Sequence, residues 1–115
     1  MRVCRYVERN ALRANLVEAA HAWRWSSLWV RQHRQGPAAD ALAEWPLPVP
    51  RDWLARVNRP QDEKELASLR RSCDRGCPYG DPAWTAATAK RLGLESSLRP
   101  IGRPRIKKRV DAKKR

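Results

Sequence analysis

Phenylalanine is absent from this chain, and all six tryptophans lie between Trp23 and Trp84. The large aromatics that could build a core are therefore confined to the middle of the chain. A length of 115 residues allows one small domain or a piece of a larger one. The six tryptophans are read chiefly as core; stacking on unpaired bases is the other use open to them. Trp23 and Trp25 are two residues apart, so both cannot face one helical core, and one is expected to cap a helix end while the other packs inside.

Charge is the second constraint. There are 25 Lys and Arg against 12 Asp and Glu, a formal net charge of +13. From Arg99 to Arg115 there are nine basic residues and one acid, Asp111, so eight of the thirteen net charges fall in the last 17 residues. Such a run repels itself and predicts a disordered arm with a polyanionic partner. Nucleic acid is favoured, because each neutralised phosphate releases counterions. The arm has few apolar residues and no amphipathic period, which argues against a membrane surface. No apolar run is long enough to span a bilayer, and no signal-peptide pattern is present.

Hydrophobic spacing predicts a mostly helical protein without a convincing strand. Val3, Tyr6, Val7 and Asn10 share one face of a helix over residues 2–9. Asn10 is placed to cap a second helix over residues 11–17, giving a kinked pair. Ser26 is expected to cap a helix over roughly 27–34, with Gly36 ending it. Pro37, Pro46, Pro48, Pro50 and Pro60 make residues 36–60 a Pro-rich strap, extended at Trp45–Pro50. A short helical turn near Pro50–Val57 has Trp53, Leu54 and Val57 as its apolar side. Asp62 with Glu65 makes an acidic capping box for a helix that carries Leu66, Leu69 and Cys73 inward and stops at Gly76. Asp81–Pro82 starts another helix, with Trp84, Ala87, Thr88, Arg91 and Leu92 on its face and Gly93 at its end. The expected organisation is 1–35 helical, 36–60 strap, 61–98 a helical hairpin, and 99–115 the basic arm.

Few residues offer catalytic chemistry. His21 and His33 are twelve apart with no His-x-His pair, and each is read as a surface or hydrogen-bonded histidine. Cys4, Cys73 and Cys77 are read as free thiols; Cys73 and Cys77 lack the further ligands a zinc site needs. Tyr6 remains: a tyrosine hydroxyl can attack a phosphodiester when a metal neutralises the phosphate. Asn10, one turn later, can point its amide oxygen at the same metal or phosphate, although a packed tyrosine is the plainer reading. Arg99-Pro100-Ile101-Gly102-Arg103-Pro104-Arg105 looks like an AT-hook for an A·T-rich minor groove, with Ile101 where the hook has Arg.

Together these residues resemble a known family. The run Cys4-Arg5-Tyr6-Val7-Glu8-Arg9-Asn10-Ala11-Leu12-Arg13-Ala14-Asn15-Leu16-Val17, with Trp23-Arg24-Trp25-Ser26-Ser27, resembles the C-terminal half of REP-associated tyrosine transposases. Those enzymes are single-strand-DNA insertion-sequence transposases with a His-hydrophobic-His motif. Trp45-Pro46-Leu47-Pro48, Arg56-Val57-Asn58-Arg59-Pro60, Gly80-Asp81-Pro82-Ala83-Trp84 and Arg91-Leu92-Gly93-Leu94-Glu95-Ser96 extend the likeness over nearly the whole chain. The resemblance implies that Tyr6 is the nucleophile, linked to a 5′ phosphate beside a DNA hairpin. It implies that Asn10 assists a divalent metal, Mg or Mn, held mainly by two histidines on a ferredoxin-like α+β sheet. Ala11 stands where many members have Pro. The sheet has no counterpart here, so the expectation is a truncated transposase that does not hold the metal by itself.

The expected DNA contacts are Arg13, Arg99, Arg103, Arg105, Lys107, Lys108 and Arg109. The expected setting is a bacterial cytoplasm, associated with the nucleoid, with self-association through the uncovered helix 2–9. The other readings are a stand-alone basic helical DNA-binding protein, regulatory or architectural, and an RNA-binding protein.

The chain by itself is expected not to cleave DNA. Incubating purified protein and Mg or Mn with hairpin-flanked single strands checks this, and metal-dependent nicking overturns it.

Overall fold

The computed structural model describes residues 1–35 and 37–102. The fold is mostly helical, and the described residues contain no strand. Among them seven α-helices run in order: α1 (Arg2–Glu8), α2 (Asn10–Arg13), α3 (Ser27–His33), α4 (Pro37–Ala41), α5 (Trp53–Asn58), α6 (Glu63–Arg75) and α7 (Pro82–Leu92). Short 3-10 turns occupy Ala20–Ala22 and Glu95–Leu98. None of these helices is long and apolar enough to cross a membrane. Two compact units divide at Arg70, inside α6.

Arg9 separates α1 from α2, giving the expected pair of helices, but Asn10 does not cap. Arg9 keeps right-handed helical angles (φ −85°, ψ −2°), so the chain never takes the extended conformation that a cap requires. Arg9 N–H bonds the Arg5 carbonyl at 3.0 Å and Arg13 N–H the Arg9 carbonyl at 2.9 Å, and Arg9 itself is the turn between the two helices. The helix stops at Arg13, four residues before the expected end. Asn15 takes the left-handed conformation (φ 56°), which asparagine tolerates. Its N–H bonds the Leu12 carbonyl at 3.1 Å, and that of Leu16 bonds the Ala11 carbonyl at 3.0 Å. These paired bonds form a Schellman motif.

Other helix ends follow the expected chemistry. Ser26 Oγ accepts from the Trp29 N–H at 3.1 Å, and Asp81 Oδ1 from the Trp84 N–H at 3.0 Å. Asp62 Oδ2 accepts from the N–H groups of Lys64 and Glu65. The Glu65 carboxylate lies 3.9 Å from Arg2 Nε. Gly76 and Gly93 take left-handed angles (φ 60° and 68°) and end α6 and α7. At α3 the left-handed position is Arg34 (φ 48°); Gly36, expected to end this helix, lies outside the described residues.

The core of the first unit is small. Ala20, Leu28, Trp53 and Val57 are buried together, and Met1, Cys4, Leu12 and Trp45 pack against them. Trp45, from the Pro-rich segment, meets Trp53 edge-on, with ring centroids 5.5 Å apart. The strap also contains α4, which was not expected. Trp53 and Val57 of α5 point inward, whereas Leu54 is exposed. Leu66 and Leu69 of α6 are buried, but Cys73 is exposed and Ser72 takes the inward register.

In the second unit, α7 packs on the Glu95–Leu98 turn. The inward residues of α7 are Thr85, Thr88 and Ala89, one position round from the expected face, and Trp84 and Leu92 are exposed. Thr88 is expected on this face, whereas hydrophobic spacing passes over Thr85 and Ala89 for the larger Trp84 and Leu92. Residues 61–98 hold two successive helices, and the main partner of α7 is the Glu95–Leu98 turn that follows it.

Glu8 is the polar centre of the first unit. Its side chain is buried; Oε1 accepts from Ser27 Oγ and Oε2 from Trp53 Nε1, both at 2.7 Å. One carboxylate thereby joins α1, α3 and α5. Glu8→Ala strands two buried donors and should destabilise the fold by roughly 2–4 kcal/mol. Chemical denaturation checks this, with Val7→Ala, at an exposed position one residue away, as the neutral comparison.

Candidate functional site

The single-residue turn at Arg9 leaves Tyr6, Asn10 and Arg13 close together, at i, i+4 and i+7. Arg13 draws the three together. Its guanidinium lies 4.0 Å from the centre of the Tyr6 ring, a cation–π contact. Its Nη2 donates to Asn10 Oδ1 at 2.9 Å, and its Nη1 to the Tyr6 backbone carbonyl at 3.3 Å. Tyr6 is half-buried and Asn10 exposed. Val3 and Val7 beside them are 46% and 60% exposed, so this side of the helix is uncovered, as expected.

Two clefts flank the strip. A cleft of about 280 Å³ runs between Val3, Cys4 and Val7 of α1 and Trp45–Pro46 of the strap. A second, of about 420 Å³, opens between Val7 and Asn10 on one side and Leu16, Trp23 and Trp25 on the other. Trp25 is 74% exposed, with the Arg24 guanidinium 5.0 Å from its ring centre. Of the six tryptophans only Trp53 is fully buried, which corrects the expectation that they are chiefly core. Trp23 is half-buried. Trp29 stacks on His33 at 4.1 Å, and His33 Nδ1 lies 2.9 Å from the Trp29 carbonyl.

The arginines divide by role. Arg5 Nη2 donates to the carbonyls of Arg59 (2.8 Å) and Pro60 (3.1 Å), and Arg9 Nη1 to those of Val57 (2.9 Å) and Asn58 (2.6 Å). Both satisfy carbonyls at the C-terminal end of α5, where the helix dipole favours positive charge. Burial lowers the Arg9 pKa from its ordinary value, and the charges of Arg5 and Arg13 lower it further. Asn58 completes this joint: its Oδ1 accepts from the Ala20 N–H at 2.8 Å. The Arg56–Pro60 run thus has a structural task. Sequence reasoning missed Arg5, Arg9, Glu8 and Asn58. The spacing of Arg5, Arg9 and Arg13 was a visible signal, but nothing local says which of the three turns inward.

Arg99 is exposed, and its carbonyl accepts from Arg75 Nη2, while Arg75 Nε donates to the Ser97 carbonyl at 2.7 Å. The end of α6 therefore fixes the point where the basic arm begins. Gly102 has φ 146°, and Ile101 is exposed. Arg103, Arg105, Lys107, Lys108 and Arg109 lie outside the described residues.

The fit of a divalent metal is poor. Asn10 Oδ1 is held by a guanidinium, whose charge opposes a cation. No group of three His, Cys, Asp or Glu among the described residues is arranged to bind a metal. No step through a metal follows from these residues. No family model, curated protein or solved structure matches the chain.

Two substitutions separate the arginine roles. Arg9→Met removes two hydrogen bonds from the end of α5 and should cost roughly 1.5–3 kcal/mol of stability. Arg13→Met removes a cation–π contact and two hydrogen bonds to partners within its own helix pair, one of them exposed and the other long at 3.3 Å, and should stay within about 1 kcal/mol. Thermal or chemical denaturation of both variants decides the order.

Proposed function

We propose that this chain binds single-stranded DNA beside hairpins, as the nucleophile-bearing and DNA-binding part of a REP-associated tyrosine transposase. The observation that carries the reading is the clustering of Tyr6, Asn10 and Arg13 on an uncovered helix face. The resemblance assigns the first two to strand chemistry, and Arg13 offers a phosphate the charge to meet it. The net charge of +13 supports a polyanionic partner, as does the basic run after Arg99.

In this reading Tyr6 supplies the attacking hydroxyl of the family reaction. Its oxygen forms the bond to phosphorus, and the bond from phosphorus to the 3′ oxygen breaks, leaving a free 3′ hydroxyl. The group that takes the tyrosine proton and the divalent metal of the family are not supplied by the described residues. The proposed role of this chain alone is therefore binding, without cleavage. The engagement of Asn10 by Arg13 favours, as a second reading, a basic helical DNA-binding protein in which Tyr6 has no chemical role.

Fluorescence anisotropy separates the readings, using a hairpin with a single-stranded flank, an A·T-rich duplex and a structured RNA. Tightest binding to the flanked hairpin is expected. Affinity should fall with salt, and removing residues 103–115 should flatten the slope by about 0.7 for each phosphate that no longer meets a cation. Preference for the duplex favours the second reading, preference for RNA sinks both, and absence of binding to all three removes any nucleic-acid role.

A further inference from the structure

We infer that the cleft beside α2 is a seat for an unpaired base of single-stranded DNA, with the Trp25 indole as its stacking surface. The inference rests on the single-strand reading above and names the place where a base, rather than a phosphate, is held.

Three observations converge on this cleft. Its volume, about 420 Å³, lies within the range of about 300–1,000 Å³ usual for small-molecule sites. Trp25 is 74% exposed, although burying an indole is among the most favourable things a small fold can do. The core is built without it, so its exposure leaves a flat aromatic face for another planar group. The cleft also carries a hydrogen-bonding edge: Asn10 lines it, and with Oδ1 fixed by Arg13 its amide N–H groups remain donors for a base carbonyl or ring nitrogen.

Charge selects the occupant. The one charged residue lining the cleft is Glu8, and both of its oxygens are already engaged, by Ser27 and Trp53. The charges beside it are positive: Arg24 lies over Trp25, and Arg13 is bonded to Asn10. A second copy of this chain would bring the same two arginines against themselves. A nucleotide brings an aromatic base for Trp25 and a phosphate for the arginines, which is the pairing used by proteins that hold single strands. Asn10 and Arg13 join the cleft to the Tyr6 ring, so a strand seated there would have its phosphates beside the tyrosine face.

The test uses the full chain with two labelled strands of equal length, oligodeoxythymidylate and an abasic strand. Wild type should bind the thymidylate more tightly. Trp25→Ala should lose about tenfold in affinity for thymidylate and nothing for the abasic strand, because only stacking is removed. Trp25→Tyr should recover most of the loss. Trp84→Ala, at an exposed tryptophan of the second unit, should change neither. The salt slope of Trp25→Ala should match wild type. Equal affinities of wild type and Trp25→Ala for thymidylate overturn the seat while leaving phosphate binding intact. Failure of wild type to bind either strand overturns both the seat and the single-strand reading. A larger loss on oligouridylate than on thymidylate reassigns the occupant to RNA and overturns the DNA assignment.

Discussion

The first unit depends on one buried carboxylate. Glu8 faces inward from α1, and its two oxygens are taken by a serine from α3 and an indole N–H from α5. Burying such a group is costly unless its lone pairs are met, and here each oxygen meets a donor at 2.7 Å. The apolar core around it consists of a few side chains, so hydrophobic burial alone specifies the arrangement weakly. A hydrogen bond in a fixed direction supplies what bulk burial lacks. It sets the rotation of α1, and that rotation decides which of its residues meet solvent.

The same rotation sorts the arginines. Arg5 and Arg9 follow Glu8's side of the helix and reach the carbonyls closing α5. Arg13, one turn beyond Arg9, falls over Tyr6 instead. Three like charges at helical spacing would repel in isolation. The carbonyl end of α5 relieves two of them, and the third stays at the surface where an anion can meet it. The uncovered valines and this surface guanidinium therefore lie on the side of the helix that Glu8 turns away from the core.

Much of the fold was legible because it rests on local chemistry. Ser26, Asp62 and Asp81 cap as side-chain acceptors must, and Gly76 and Gly93 take the left-handed angles that other residues resist. Where the reading failed, a local rule met a nonlocal partner. Asn10 has the right type for a cap, yet Arg9 stayed helical with its guanidinium held by α5, and Asn10 turned to Arg13. Thr88 lies on the inner face of α7 as expected, but Trp84 and Leu92 draw the expected face round by one position, because their size outweighs Thr85 and Ala89 in a reading based on hydrophobic spacing. The tryptophans misled for a different reason. Their size marks them as core candidates, but with so small a core only Trp53 is fully enclosed.

The sequence by itself determined that the protein is helical, where several helices begin and end, and that it carries a large positive charge concentrated at one end. Those properties follow from spacing, capping residues and composition, each of which acts within a few residues or sums over the chain. Only the tertiary structure decided which arginines are structural and which tryptophan meets solvent. The inward turn of the arginines depends on side chains as far apart as Glu8 and Trp53, whose meeting joins α1 to α5, whereas the cluster of Tyr6, Asn10 and Arg13 uses local spacing that the sequence already showed. No local pattern encodes that meeting, because a buried hydrogen bond is defined by two partners and the space between them.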